Sequence, residues 1–527
     1  MSPRPAAGAG VAWLLANCRN CTPVSNPLYD QLFGRHTGQN TPFLRLLDGR
    51  TITHAAFLTH AARLAHALTG LGLSAGDRVA VQVDKSAAAL AVYAACVQAG
   101  LVFLPLNPAY TAPEVDYFVG NSGAALLLST PAKATALAEV AARHGAQVQT
   151  LDHDGTGTLA DLAEGQPPLF PTVSRVETDL AAILYTSGTT GRSKGAMLTQ
   201  TNLLSNALVL ADLWAFTNRD VLLHALPIFH THGLFVATNV TLLAGGSMIF
   251  LPKFDPDAMI RLLPQATAMM GVPTFYTRLL DDPRLDPALT AHMRLFISGS
   301  APLLAETHRA WTARTGHRIL ERYGMTETNM NTSNPYHGDR RPGTVGQPLP
   351  GVELRICDGT VEVPQGQIGV IELRGPNVFA GYWQMPEKTA AEMRPDGFFI
   401  TGDLGLQDAD GYVTIVGRAK DLIISGGLNI YPVEVEAALD ALPGVLESAV
   451  VGMPDADMGE VAVAVVVAMP GVELDVDLLL AALAESLARF KLPRRIVVRD
   501  GLPRNAMGKV QKAVLRAELT KAFGGVG

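Results

Sequence analysis

From residue 51 the chain alternates helix-like and strand-like segments, and that alternation restricts it to few folds. Residues 55–71 space their apolar side chains as an amphipathic helix, 78–83 read as a strand, 86–99 as an alanine-rich helix and 101–106 as the next strand. Strands separated by helices of this length predict an α/β protein with mostly parallel sheets and helices on their faces. Pro- and Gly-containing stretches at 164–171 and 338–350 read as connections, and no solenoid period is present. Composition changes near Gly417, where charges, glycines and a proline-started helix crowd together in GRAKDLIISGGLNIYPVEVE. Beyond it a helix from Pro432, strands at 446–451 and 461–467, a helix at 476–489 and a strand at 495–498 make a second, α+β unit of domain size.

One loop interrupts this pattern with chemistry. AILYTSGTTGRSKGAMLT, residues 182–199, follows a short apolar strand and precedes a helix after Thr201 with apolar residues at Leu204, Leu208 and Ala211. Gly188, Gly191 and Gly195 allow positive φ and close approach of backbone N–H groups to an anion. Thr186, Ser187, Thr189, Thr190 and Ser193 add hydroxyls, and Arg192 and Lys194 add charge. A plain surface turn does not call for five hydroxyls and two cations. It is not a Walker A loop, because Ser193 stands where the second glycine belongs and Gly195 follows the lysine. YTSGTTGRSKG resembles the phosphate-loop signature of the acyl-adenylate-forming superfamily, which includes acyl-CoA synthetases, peptide-synthetase adenylation domains and beetle luciferases.

That resemblance implies a large multi-subdomain amino-terminal domain (residues 26–419) and a small carboxy-terminal domain (residues 420–527) that swivels on a hinge matching Lys420, with residues 1–25 a flexible extension. It also implies ATP, magnesium and CoA as reactants, and adenylation brings two anions together, so cations and backbone donors are needed where charge builds up. In SGSAP and ERYGMTET, which follow apolar segments and so should sit at strand ends, it gives Ser300, Ala301, Pro302, Glu321, Arg322, Tyr323, Gly324, Met325 and Thr326 to the nucleotide, Tyr323 stacking on adenine. Glu327, with the Thr186 hydroxyl, matches the magnesium site, a hard oxygen-ligand role. In TGDLG, Asp403 matches the ribose carboxylate and Arg418 its partner; Lys509, in PRNAMGKVQK, matches the catalytic lysine, a compact charge able to cross a domain gap. Ser425, Gly426 and Gly427 leave a backbone without bulky side chains beside a pantetheine channel.

The chain's net charge of -7 and pI near 6.0 disfavour nucleic acid as partner, and its longest apolar runs are strand-length, so no membrane span is expected. Four cysteines are too few for a disulfide framework in 527 residues, which suits a reducing cytoplasm. The stretch before Cys18 is a poor signal peptide, and Cys18 with Cys21 is a lone CxxC, weak evidence for zinc.

The segments PIFHTHGLF, GVPTFYTRLL and GMTETNMNTSNPY resemble the malonyl-CoA synthetase branch, over a likeness that runs from about residue 28 to the end. A dicarboxylic acid must keep one carboxylate ionised while the other reacts, which calls for a fixed cation. Arg278, one turn into an apolar helical run, is the candidate, with a structural ion pair as its alternative. His230 matches the gate of the acyl pocket, Thr231 and Met330 the positions that crowd the acid's α-carbon, and Ser298 and Gly299 fall to the same pocket. A ligase for another short or medium acid, a stand-alone enzyme that loads a carrier protein, and a catalytically silent nucleotide-binding protein remain as alternatives. The last should lack Lys509, Glu327 or the Gly188 loop, and all three are present.

Overall fold

A computed structural model of the chain describes residues 25–523, except 187–192, 427, 456–457 and 506–507. The proposed extension, including Cys18 and Cys21, and the loop residues Ser187, Gly188, Thr189, Thr190, Gly191 and Arg192 therefore lie outside the described residues, as does Gly427.

The fold is α/β, with a large amino-terminal domain and a small carboxy-terminal domain built on an antiparallel sheet. The alternation read from the sequence becomes two big sheets. In the six-stranded sheet, Arg78–Gln82, Val102–Pro105 and Leu126–Ser129 run parallel, while Leu180–Thr186 is parallel to its inner neighbour and antiparallel to Lys194–Thr199. The strands that flank the phosphate loop in sequence, Leu180–Thr186 and Lys194–Thr199, thus pair at this sheet's edge. In the nine-stranded sheet, Val221–His224, Ala268–Gly271, Leu295–Ser298 and Leu320–Met325 are successive parallel strands.

Helices pack between the sheets. Ala87–Gln98 is buried along almost its whole length, as a helix apolar on every side must be, and the Ser86 side chain caps it by accepting from the Ala89 N–H at 3.1 Å. Thr199 caps Gln200–Leu213, so this helix starts earlier than the sequence pattern indicates. One continuous hydrophobic core joins both sheets. A third, five-stranded antiparallel sheet carries Gly369–Arg374, Phe399–Gln407 and Val413–Arg418.

The small sheet is covered on both sides. Pro432–Asp440 and Val476–Ser486 pack on one face around Val435, Leu439 and Leu483, and Lys512–Phe523 packs on the other through Leu515 and Leu519. The terminal helix begins at Lys512, after Val510 bridges back to Arg504.

One motif differs from expectation. ERYGM does not trail a strand; it lies within Leu320–Met325, where the antiparallel partner Asn329–Ser333 extends the ladder through its glycine. TGDLG likewise lies within a strand, Phe399–Gln407, paired with Val413–Arg418.

Candidate active site

The ends of these strands converge. Asp403 and Arg418, paired across neighbouring antiparallel strands, form an ion pair with 2.7 Å between Oδ1 and Nε, and the Tyr323 hydroxyl donates to the other Asp403 oxygen. Three separate motifs therefore meet at one carboxylate. Glu327, almost fully buried, accepts from the Tyr382 hydroxyl at 3.1 Å, and Tyr382 also bonds Glu392 at 2.7 Å. Glu392 in turn lies 3.3 Å from the Lys194 ammonium, which sits 4.0 Å from the centre of the Tyr382 ring. Burial raises the Glu327 pKa above the usual carboxylate range, with Lys194 and Arg418 acting against it. A buried acid short of positive charge is suited to a cation. Among the described residues no group of three His, Cys, Asp or Glu side chains could hold one. A single carboxylate, with the Thr186 hydroxyl at the end of the strand paired to Lys194, fits a hard ion whose remaining ligands are phosphate and water oxygens.

Lys509 reaches this region from the small domain. Its loop is braced by Asn505, which accepts from the Lys509 N–H at 3.0 Å, and by Arg504, which bonds the Gly508 carbonyl and pairs with Glu447. Gly508, at φ +73°, faces Thr274 of the large domain, where a Cβ would lie 3.3 Å from the hydroxyl. Lys509 is exposed as a whole residue; burial around its amine, then the Arg418 charge, lowers its pKa, and Asp403 opposes. Lys420 is exposed in the short turn Ala419–Asp421 between the domains. Ser425 is buried, and Gly426, at φ +54°, donates to the Met458 carbonyl at 2.8 Å in the hairpin tip.

The segments expected to form the acid pocket also come together. HTHGLF opens into a π-helical turn, His232–Thr238, whose Gly233 presses so close to Pro227 that a Cβ would lie 2.0 Å from its carbonyl oxygen. This turn buries Thr231 and His232. His232 Nδ1 lies 3.1 Å from the hydroxyl of Ser300, itself held at φ +74°, a strained conformation for a serine. Gly299 lets Arg322 pass: a Cβ there would lie 2.3 Å from the guanidinium carbon. Arg322 is 3% exposed, yet among the described residues its Nε and Nη2 have no hydrogen-bond partner. Thr231 Oγ1, His232 Nε2 and Ser298 Oγ are likewise buried without partners among the described residues. Burial, then the charges of Arg322 and Lys509, push the His230 pKa down to about 4, so at neutral pH the ring is neutral and both cations act on it. Met330 is buried on the adjoining strand, against Gly324.

Three sequence expectations are corrected. Arg278 is exposed, with its guanidinium 6.0 Å from the Phe254 ring, and is not enclosed by an acid pocket. Arg322, expected at the nucleotide, turns instead toward Gly299 and His230. Glu321, also expected at the nucleotide, is instead buried, 3.0 Å from His308 Nδ1, and accepts from the Gly343 N–H at 3.3 Å, tying a helix and a loop to its strand. Alternation along the strand sends Glu321 and Arg322 to opposite faces. Ala301, Pro302, Met325 and Thr326 stand at the strand ends with Ser300 and Tyr323. The sequence reading missed His232, Tyr382 and Glu392. The second histidine of HTHGLF was a visible signal; nothing local to Tyr382 or Glu392 marks them, because both act through contacts made by folding.

Comparison with known proteins finds relatives along most of the chain. The family described as AMP-binding enzyme matches residues 34–383, and that described as AMP-binding enzyme C-terminal domain matches residues 434–509. A feruloyl-CoA synthase of Amycolatopsis is 39% identical over 484 residues, 90% of this chain and 95% of the relative. A malonate–CoA ligase of Arabidopsis thaliana is 35% identical over 483 residues, 85% of this chain and 79% of the relative. The crystal structure of ATP-bound MatB from Rhodopseudomonas palustris superposes with a TM-score of 0.93 at 56% identity, covering 95% of this chain and all of that one.

Proposed function

The chain belongs to the AMP-binding enzyme family and is an AMP-forming acyl-CoA ligase, and from that premise we propose that its acid is malonate. In the proposed reaction a malonate carboxylate oxygen attacks the α-phosphorus of ATP, releasing diphosphate and leaving malonyl-AMP. The CoA thiol then attacks the acyl carbon, forming malonyl-CoA and expelling AMP.

The observation that carries this reading is Arg322, a buried guanidinium with two free nitrogens. Burial lowers its pKa to about 9, so it stays charged at neutral pH. A buried, unpaired cation costs several kcal/mol, and a substrate that brings its own fixed carboxylate offsets that cost. Two parallel N–H donors suit a carboxylate well. An aryl acid such as ferulate, the substrate class of one relative, would instead put neutral ring atoms against that charge. Thr231, His232 and Ser298 supply further unpaired donors and acceptors, and Met330 closes the pocket near a short acid's α-carbon.

In this reading Lys509 and the phosphate loop with Lys194 balance the charge that builds up at the α-phosphorus, Asp403 holds the ribose hydroxyls, and neutral His230 orders the acid without repelling Arg322. Bound at Glu327 and Thr186, magnesium would neutralise phosphate oxygens. The Lys420 turn is proposed as the pivot between residues 26–419 and 420–527, and Ser425 to Gly427 as backbone lining for the pantetheine arm.

The test is a panel of acids with purified protein, ATP, magnesium and CoA, read as AMP formed. Malonate is expected to give the highest kcat/KM; higher efficiency with ferulate, propionate or butyrate would overturn the reading.

A further inference from the structure

The reaction proposed above makes no use of Lys85. This half-buried residue follows the strand Arg78–Gln82 of the six-stranded sheet and lies two residues before the helix Ala87–Gln98. Its amine reaches the other big sheet: Nζ lies 2.8 Å from Nδ1 of His224, the last residue of Val221–His224, donates to the His224 carbonyl at 2.9 Å and sits 4.2 Å from the centre of the Phe250 ring. Among the described residues it forms no ion pair with a carboxylate; burial lowers its pKa well below the usual lysine value, and no acid opposes that shift. An apolar side chain would pack on Phe250 without the cost of burying a charge. What the amine adds is its two bonds to His224.

Those bonds fix the His224 ring. A carbonyl only accepts, so the ring nitrogen that faces one must carry the proton: Nε2 lies 2.8 Å from the Gly233 carbonyl and donates to it. Nδ1 faces an amine, which donates whether protonated or neutral, so Nδ1 is the acceptor. Burial, then the Lys85 charge, holds the His224 pKa well below its ordinary value, and the ring keeps a single proton. Gly233 belongs to the π-helical turn His232–Thr238, and its carbonyl also accepts from the Thr238 hydroxyl at 2.9 Å. The Leu234 N–H of the same turn donates to the His230 carbonyl at 3.0 Å, so the turn is tied directly to His230 and Thr231.

We propose that Lys85 is a positioning residue for adenylation: by selecting the Nε2–H form of His224 it pins the Gly233 carbonyl, and with it the wide turn that presents His230, Thr231 and His232 to the acid. This rests on the acyl-CoA ligase reading and extends it to a residue outside the recognised motifs. Without the amine, the neutral ring is free to carry its proton on Nδ1. A bare Nε2 would then face the Gly233 oxygen, two acceptors with no proton between them, and the turn would move. A misplacement of about 1 Å in a binding group can cost about a hundredfold in rate, so a smaller shift is enough to be read.

The experiment follows exchange of diphosphate into ATP, with whichever acid of the panel the wild type uses best, for the wild type, Lys85→Met, Lys85→Arg, His224→Gln and the double variant Lys85→Met, His224→Gln. Thermal midpoints and nitrogen NMR spectra of histidine-labelled protein are recorded alongside. Lys85→Met is expected to lower kcat/KM for the acid about tenfold, with the KM for ATP near wild type and a thermal midpoint equal or higher. Lys85→Arg, which keeps a donor, is expected to recover most of that loss. The losses from Lys85→Met and His224→Gln should add to less than their sum, because both break one chain of bonds. The His224 signal, identified by its disappearance in His224→Gln, should show the proton on Nε2 in the wild type and shift toward the Nδ1–H form in Lys85→Met. Unchanged acid efficiency in Lys85→Met, an equal loss for ATP, fully additive losses, or a wild-type His224 proton on Nδ1 overturns the assignment. If Lys85→Met does not fold, the wild-type spectrum and His224→Gln, expected to lose acid efficiency to a similar degree, decide it. No exchange with any acid in the wild type would count against the ligase reading itself, whereas normal wild-type exchange with an unmoved acid efficiency in Lys85→Met counts against the role of Lys85 alone.

Discussion

Arg322 brings two unpaired guanidinium nitrogens into a space shared with His230, His232 and Ser298, at a position where Gly299 alone leaves room for it. Replacing it by Met removes the charge but keeps most of the volume. Removing the partner of a partly buried carboxylate typically costs about 3 to 5 kcal/mol, or roughly two to four powers of ten in kcat/KM. Arg322→Met is therefore expected to lose malonate efficiency on that scale while butyrate falls little and the KM for ATP stays near its wild-type value. Parallel losses for both acids would make Arg322 a structural residue. Arg278→Met, by contrast, should leave malonate-dependent diphosphate exchange close to wild type, because its guanidinium is exposed and away from the pocket.

At the scale of elements, a buried histidine pair joins the edge of the nine-stranded sheet to its interior. His54, the first residue of the helix His54–Gly70, stacks 4.4 Å from His36 and 4.7 Å from Phe43, with Nε2 3.2 Å from the Gly246 carbonyl. Burial, then the His36 charge, pushes its pKa down to about 4. Unfolded, it would titrate near 6.5, so between those values the unfolded chain binds a proton that the folded chain refuses. The stability contributed by neutral His54 is complete above about pH 6.5 and lost as pH falls toward about 4, a change of roughly 3 kcal/mol. Urea midpoints measured from pH 7 to pH 4.5 are expected to fall more steeply for the wild type than for His54→Gln; identical slopes would show that His54 titrates normally. The element scale also explains how legible the chain was. Helices such as Ala87–Gln98 and strands such as Arg78–Gln82 lay within a residue of their predicted ends, since apolar periodicity and the Ser86 cap are local signals. ERYGM was read as a strand exit, but the antiparallel strand Asn329–Ser333 that follows it carries this glycine-containing segment on as a strand.

For the whole molecule, function depends on how the small domain meets the large one. In this arrangement the Lys509 loop touches Thr274, and the lysine responds to Arg418 and Asp403 across the gap. Lys509→Ala is expected to abolish adenylate formation and leave thioesterification of supplied malonyl-AMP nearly intact; equal loss in both half-reactions would remove the lysine from the first step. Lys420→Pro fixes φ in the exposed turn between domains and should slow the complete reaction more than it weakens nucleotide binding. Wild-type rates in both half-reactions would put the pivot elsewhere.

The sequence by itself determined the alternation of helices and strands, the change of unit near Gly417 and the order of motifs from the phosphate loop to PRNAMGKVQK, all of which are carried by residue type and spacing within short segments. Asp403, Glu327 and Lys509 were found from those motifs, and folding brings them to one region. Which arginine faces the acid was decided only in three dimensions. Glu321 and Arg322 are adjacent and both charged, yet the pleat sends one to His308 and the other past Gly299, and the bulge between Tyr323 and Gly324 is imposed by the neighbouring strand. The pairing of Tyr382 and Glu392 with Glu327 and Lys194 likewise exists only where distant segments pack, so no local pattern in the chain could announce it.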